Sequence, residues 1–191
     1  MTTIKNYNYS EKEISTFIVD SNGYLWVAFE TDGTNCAFQK VSVNDPLQVY
    51  FDIDIAVDEI VALYIDGSYI YLAYNDATYI GARKSLANPT ITYTNISIPA
   101  GIVEAPVDVL VNGADLFYLM PGNTSGQNCQ IVKMTITGTF VETIDLVTVT
   151  NAVSFTMDSE GEIWVITENS PADYVRVYED SGGVYSYEVN N

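Results

Sequence analysis

Four oxygen-bearing side chains recur at a constant spacing of 46 residues along the 191-residue sequence. They are Asp20, Asp66, Asn112 and Asp158. Carboxylate and amide oxygens are the ligands that Ca²⁺ prefers, so a fold that gathers all four would create a cation site. Each residue also stands in a turn-like stretch, where Asp and Asn accept hydrogen bonds from backbone amides. We favour the turn role and keep a calcium site as a second prediction.

Catalytic chemistry finds little support in the residue types. The sequence contains no histidine, which removes the commonest general base and a frequent metal ligand. No motif pairs a nucleophile with a lysine or carboxylate base. A glycosidase that uses two carboxylates stays an open alternative, because acidic residues are plentiful. We therefore expect a protein that is not an enzyme and that requires no cofactor.

The oxygen-bearing column belongs to a fourfold internal repeat. Similar segments begin at Ser15, Val61, Val107 and Val153, and each reads as an apolar run, a turn and a second alternating run. An aromatic residue stands near the centre of each second run; these are Trp26, Tyr71, Phe117 and Trp164. Large aromatics beside alternating apolar positions are typical of buried packing. We predict that these four are structural residues packed between the faces of neighbouring repeats, not exposed sugar-binding platforms.

Each repeat continues into two further strand-like runs. "CAFQKVSV", "TYIGARKS", "CQIVKMTI" and "DYVRVYED" come third, and "VYFDIDI", "TYTNISI", "FVETIDL" and "VYSYEVN" come fourth. Tyr, Val, Ile, Thr and Phe dominate these runs, as they do in β-strands. Four short strands per unit and a period near 46 predict an all-β fold, a four-bladed β-propeller with four antiparallel strands per blade. A β-sandwich, or a meander of similar hairpins, is the alternative.

The repeat also predicts the domain boundaries. Residues 1–12 form an N-terminal arm, and residues 13–191 form one propeller domain. The blades span about 13–56, 57–100, 101–147 and 148–191.

The only two cysteines, Cys36 and Cys129, occupy equivalent positions in the first and third repeats. A disulfide needs Cα atoms within about 7 Å, which third strands on opposite blades do not offer. We predict two free, buried thiols that behave as small apolar residues.

The stretches "DSNGYLWVAFE" (residues 20–30) and "DSEGEIWVITE" (residues 158–168) resemble the blade repeat of two-component-regulator propellers, roughly Asp-x-x-Gly-x-Φ-Trp-Φ-x-Thr. The match is good in the first and fourth repeats and degenerate in the others, where Tyr71 or Phe117 replaces tryptophan. The resemblance covers each first hairpin and implies a fold, not an activity. Hemopexin-type domains are the other four-bladed comparison, but this sequence lacks their disulfide between first and last blades.

The charge balance limits the classes of partner. The sequence has 25 acidic and 7 basic residues, a formal net charge of −18. Nucleic acids and anionic membranes bind lysine and arginine, so we expect neither as a partner. The sequence contains no run of 18 apolar residues, so it predicts no membrane-spanning helix. No secretory signal is visible, and we expect assembly in the cytoplasm, with an extracellular or cell-surface location as the alternative.

Tyrosine and asparagine residues outside the repeat pattern are the best candidates for contacts with other molecules. Tyr7 and Tyr9 lie in the N-terminal arm, and Asn123 and Asn128 lie in the long loop "PGNTSGQNC". Such residues suit polar, hydrated interfaces. We predict a structural or protein-interaction module in a larger assembly, with a bacteriophage virion component (tail, fibre or capsid-surface accessory) as the favoured case. The alternative is a carbohydrate-binding propeller, stabilised by a cation.

Overall fold

A computed structural model of the chain describes residues 14–30, 35–42, 49–87, 93–102, 104–122, 128–146, 149–167, 174–180 and 185–188. These residues form sixteen strands in four antiparallel sheets, and within each sheet the strands follow chain order. The chain divides into two compact units, residues 1–95 and 96–191.

The first unit contains sheet I and most of sheet II. Sheet I comprises β1 (Ile14–Val19), β2 (Tyr24–Glu30), β3 (Cys36–Ser42) and β4 (Val49–Ile55). Sheet II comprises β5 (Glu59–Ile65), β6 (Tyr69–Asn75), β7 (Tyr79–Ser85) and β8 (Thr94–Ser97), the last of which lies at the boundary between the units.

The second unit contains sheets III and IV. Sheet III comprises β9 (Asp108–Asn112), β10 (Asp115–Met120), β11 (Cys129–Thr135) and β12 (Phe140–Leu146). Sheet IV comprises β13 (Ala152–Met157), β14 (Ile163–Thr167), β15 (Tyr174–Asp180) and β16 (Tyr185–Glu188). The predicted all-β fold and the predicted strand order of every repeat are confirmed.

The second strand of the first three repeats contains a run of consecutive buried residues, so it is covered on both faces. In β6, every residue from Ile70 to Tyr74 is buried, and in β10 every residue from Leu116 to Met120 is buried. A strand that is covered on both faces reads as a continuous apolar run instead of an alternating one. β6 and β10 are therefore covered on both faces of their sheets.

The turn between the first two strands explains the glycine of the repeated motif. Gly23 has a φ of 77° and Gly161 a φ of 90°, a left-handed conformation that glycine adopts without steric cost. The amide of Gly23 donates to the carbonyl oxygen of Asp20 at 2.9 Å. This tight turn brings the aspartate back beside the start of the second strand.

Each unit has a core between its two sheets. In the first unit, Trp26 and Ala28 of sheet I share a buried cluster with Leu63 and Leu72 of sheet II. In the second unit, Phe117 and Leu119 of sheet III cluster in the same way with Phe155 of sheet IV. The motif aromatic of one sheet thus packs against the first strand of the next sheet in the same unit.

Several sequence predictions have outcomes in these sheets. Cys36 and Cys129 are both free and fully buried, as predicted. Among the described residues, no helix is long and apolar enough to cross a membrane. The N-terminal arm lies outside the described residues, and the proposed domain boundaries stay a prediction.

Candidate functional site

The Asp20 carboxylate uses both oxygens to hold the first hairpin together. Its Oδ1 accepts hydrogen bonds from the backbone amides of Asn22 (2.9 Å) and Tyr24 (3.0 Å). Its Oδ2 accepts a hydrogen bond from the indole Nε1 of Trp26 at 2.9 Å. One side chain therefore closes the turn and orients the buried aromatic.

Two other repeats reproduce this arrangement. In sheet IV, Asp158 accepts from the backbone amides of Glu160 and Glu162, and from Trp164 Nε1 at 3.2 Å. In sheet II, Asp66 accepts from two turn amides through Oδ1 and from the Tyr71 hydroxyl at 3.1 Å through Oδ2. The repeat conserves a bond between the aspartate and the donor of the motif aromatic.

The third repeat changes both partners together. Phe117 replaces the tryptophan or tyrosine and has no hydrogen-bond donor, and Asn112 replaces the aspartate. The Asn112 amide Nδ2 instead donates to Met157 Sδ of sheet IV at 2.8 Å. At this position of the repeat, an aspartate therefore occurs only where the motif aromatic can donate a hydrogen bond to it.

These contacts bear on the predicted calcium ligands. Asp20, Asp66 and Asp158 bind backbone amides and aromatic donors, which is the turn role considered from the sequence. Within the described part of the chain, no group of three or more Asp, Glu, Cys or His residues is arranged to hold a metal ion. Calcium binding by the four-residue column stays a prediction.

The hydrogen bonds also shift the acid–base equilibria of the motif. Burial alone would raise the pKa of Asp20, but the bonds from Trp26, Tyr24 and Asn22, with the charge of Lys40, outweigh it and lower the pKa below its usual value. Burial raises the pKa of Tyr71, and the Asp66 charge and hydrogen bond raise it further. Asp20 is therefore ionised and Tyr71 protonated at neutral pH.

In three repeats, the third strand carries a lysine or arginine at the same position, and the sequence reasoning missed this row of the repeat alignment. Lys40, Arg83 and Lys133 pair in register with Trp26, Tyr71 and Phe117. Lys40 Nζ lies 4.1 Å from the Tyr24 ring centroid and 4.9 Å from that of Trp26. A positive charge that lies over an aromatic ring is attracted to the ring's face, which stabilises the pairing of a cation with the motif aromatic. The shared lysine of "NCAFQKV" and "NCQIVKM" was the signal that could have revealed the row.

Asp108 links the two sheets of the second unit. Its Oδ2 accepts hydrogen bonds from Ser154 Oγ at 2.7 Å and from the Phe155 amide at 3.1 Å. Both donors lie on β13, the first strand of sheet IV. This carboxylate therefore has a structural role between first strands.

The second unit also contains a pocket of about 280 Å³. Its floor follows one row across sheet III, in which Met120 pairs with Gln130 and Gln130 pairs with Asp145. Gln130 Nε2 donates to Asp145 Oδ1 at 2.6 Å. The remaining lining includes Ile102 and Glu104, from the segment before β9, and Asn128 at the start of β11. The pocket is lined mainly by amide and carboxylate groups, and Met120 and Ile102 are its apolar residues.

The predicted interaction residues have different outcomes. Asn128 is exposed and lines this pocket. Tyr7, Tyr9 and Asn123 lie outside the described residues. Of the predicted structural aromatics, Trp26, Tyr71 and Phe117 are buried, whereas Trp164 is half-buried.

Comparison with known proteins identifies the fold but no family. No protein-family model matches the sequence, and no curated protein sequence matches it. Among solved structures, hydrazine synthase from Kuenenia stuttgartiensis superposes on 88% of this chain with a TM-score of 0.66 and 12% identity, over 46% of its own length. YCF48 bound to a D1 peptide superposes on 97% of this chain with a TM-score of 0.60 and 10% identity, over 60% of its length.

A third structure connects the fold with the sequence resemblance. The extracellular domain of a putative hybrid two-component system from B. thetaiotaomicron superposes on 95% of this chain with a TM-score of 0.56 and 16% identity, over 22% of its length. The fold is β-propeller-like. This chain spans about half of the length of the first two matched proteins, and identities this low show the fold alone.

Proposed function

We propose that this chain is a non-enzymatic protein-interaction module, built as a propeller of four blades, that serves as one subunit of a larger assembly. The observation that carries the proposal is the sheet III pocket, whose polar groups are held in place by three hydrogen-bonded strands. Rigid strands present side chains with little loss of conformational entropy on binding. Amide and carboxylate groups in a pocket are convergent polar groups of the kind that orient a bound ligand.

The four-blade arrangement is supported by the repeat. Each sheet has four antiparallel strands in chain order, and within each unit the motif aromatic of one sheet packs on the first strand of the next. Propellers are built by such repetition of four-stranded sheets. The peptide carried by the structurally similar YCF48 supports a protein ligand for a fold of this kind.

A charge-reversal pair tests the proposal. Tagged full-length chain is cross-linked in cells of its natural source, and the partners of the wild type are compared with those of Asp145→Lys and Glu160→Lys. Asp145 lines the pocket, whereas Glu160 is exposed in the β13–β14 turn. Each variant replaces one negative charge with one positive charge, so the two change the net charge equally. We expect Asp145→Lys to lose the partner that Glu160→Lys retains. Equal retention by both variants contradicts the role of the pocket.

The bacteriophage virion is the assembly that we propose. The low content of charged residues, 17%, and the 15 tyrosines suit extended polar interfaces between subunits. Mass spectrometry of purified virions from the source culture checks this, since a structural component is present in stoichiometric amounts. Recovery of the chain only from cell membranes or from culture supernatant free of particles contradicts the virion proposal.

Glycan binding is the second candidate, because Asn128, Gln130 and Asp145 offer the groups that bind sugar hydroxyls. A glycan array with the wild type and Asp145→Lys separates the two. Binding to a defined saccharide that the variant loses would favour the lectin over the protein-interaction module.

A further inference from the structure

We propose that two copies of this chain pair, with sheet I of each copy packed against sheet IV of the other. The surfaces concerned are two rows of apolar side chains that are less buried than their equivalents in other sheets. Neither row includes a residue of the sheet III pocket, so the pairing does not rest on the proposed function.

The first row lies on β1 and consists of Ile14, Phe17 and Val19. These residues share one face of the strand, because they pair in register with alternate residues of β2 and a bulge follows Ile14. Their exposed fractions are 46%, 66% and 54%. The β1 row is therefore an apolar strip on the surface of sheet I.

Equivalent rows on two other first strands are covered in the same way. In each unit, a motif aromatic and the residue two positions later share a cluster with the first-strand row of the next sheet. One cluster joins Trp26 and Ala28 to Ile60, Leu63 and Ile65, and the other joins Phe117 and Leu119 to Ala152, Phe155 and Met157. The repeat thus specifies the cover that fits such a row, namely an aromatic and its second neighbour on a second strand.

The second row lies on β14 and consists of Trp164 and Ile166. They hold the places in sheet IV that Trp26 and Ala28 hold in sheet I. Trp26 and Ala28 are buried, whereas Trp164 is half-buried and Ile166 is 46% exposed. Sheet IV therefore presents the covering half of a contact, and sheet I presents the half to be covered.

A second copy of the chain supplies the missing half at both places. Both rows are exposed to different degrees in the single chain, and burial of apolar side chains is favourable. Each copy carries one row of each kind, so two copies that pair head to tail form two identical contacts when the arrangement closes. The pair has eight blades, within the range that propellers use, and four blades remain in each chain.

The dimensions of the β1 row limit the strength of the pairing. Val27 and Phe29 on the neighbouring β2 are fully buried, so the uncovered strip is one strand wide. Small interfaces are weak, and the net charge of −18 on each copy opposes association. We therefore expect a reversible pair that separates on dilution, where Phe17 behaves as an exposed side chain.

Sedimentation velocity of the full-length chain over a range of concentrations tests the pairing. Phe17→Asp and Ile166→Asp each place a charge in one row. Phe140→Asp is the matched control, because Phe140 on β12 is 46% exposed and belongs to neither row. We expect the wild type and the control to form dimers at high concentration, and each row variant to pair roughly tenfold more weakly or worse. Added salt should strengthen wild-type pairing, because it screens the repulsion.

A mixture of the two row variants shows which surfaces meet. Phe17→Asp keeps the sheet IV row, and Ile166→Asp keeps the sheet I row, so the mixture has one intact contact where the wild-type pair has two. We expect the mixture to pair more strongly than either variant alone and more weakly than the wild type. Circular dichroism and the unfolding midpoint verify that each variant is folded, and serine replaces aspartate where one is not.

Four results would overturn the proposal. The first is a wild type that stays monomeric up to about 1 mM, and the second is growth beyond two copies. The third is an equal loss of pairing in Phe140→Asp, which would mean unspecific apolar association. The fourth is undiminished pairing of Ile166→Asp alone, which would mean that sheet I meets sheet I. Loss of the pocket partner in Asp145→Lys with pairing unchanged separates the proposed function from this contact.

Discussion

The Asp20 carboxylate accepts hydrogen bonds both from the amides of its turn and from the indole of Trp26. Its exposed fraction is 9%, and its two oxygens accept three hydrogen bonds from the turn and the Trp26 indole. Buried polar groups destabilise a fold when their partners are removed. At the scale of residues, the aspartate and its aromatic donor therefore act as a pair.

A double-mutant cycle measures that pairing. Asp20→Asn and Trp26→Phe should each destabilise the chain, and the double variant should lose less than the sum, with a coupling energy of about 1–2 kcal/mol. Urea unfolding of the four proteins gives the values. The same cycle at the more exposed pair Asp158 and Trp164 should give a smaller coupling; additive losses at Asp20 and Trp26 would refute the pairing.

The lowered pKa of Asp20 predicts a pH dependence. The carboxyl ionises more easily in the folded chain than at its ordinary pKa of 3.8. Its contribution to stability is therefore complete above that value and is lost as the pH falls through the lower folded pKa. The stability difference between wild type and Asp20→Asn should be constant near neutral pH and shrink as the pH falls from about 5 towards 2. A difference that stays constant over this range contradicts the assignment.

At the scale of elements, equivalent strands of the repeat differ in burial. Phe17 on β1 and Phe155 on β13 hold the same position, opposite Val27 and Val165. Phe17 is 66% exposed, whereas Phe155 is 6% exposed and packs in the core of the second unit. Repeated sequence therefore produces repeated strands but not repeated burial.

Alanine at these two positions provides a matched comparison. Phe155→Ala should lower the free energy of unfolding by roughly 3–5 kcal/mol, because it opens a cavity in a packed core. Phe17→Ala should change it by about 0.5 kcal/mol or less, as expected for an exposed site. Thermal or urea unfolding measures both. Similar losses at the two positions would show that Phe17 is covered in solution.

At the scale of the whole molecule, each thiol lies where one repeat leads into the next. Cys36 Sγ donates to the carbonyl oxygen of Asp58, just before sheet II. Cys129 Sγ donates to the Pro121 carbonyl oxygen at 2.6 Å and accepts from the Ala152 amide at 3.4 Å, at the start of sheet IV. Both thiols are fully buried, and burial raises the pKa of Cys36.

Thiol reactivity therefore reports on the integrity of these junctions. The thiolate is the reactive form, so a thiol-specific chromogenic reagent at neutral pH should label neither cysteine rapidly in the native chain. In denaturant, the reagent should label both cysteines of each chain. Rapid labelling under native conditions would mean that the junctions open easily, and Cys36→Ser and Cys129→Ser would then identify the thiol concerned.

The strands, their order and the motif turns could be predicted from the sequence, because they depend on local patterns. Alternating apolar residues, breaker residues such as Gly23 and Gly161, and a 46-residue period are all visible in one dimension. The burial of Trp26, Tyr71 and Phe117, and of both thiols, followed from the same patterns.

Contacts between residues that are distant in sequence required the tertiary structure. The cations opposite the motif aromatics depend on the register between the second and third strands, which a residue list does not display. The pocket depends on Met120, Gln130 and Asp145 meeting across three strands. The sequence by itself determined the repeated elements. The tertiary structure decided which copies are buried and which side chains meet, because burial depends on the packing of one sheet on another and side-chain contacts depend on strand register.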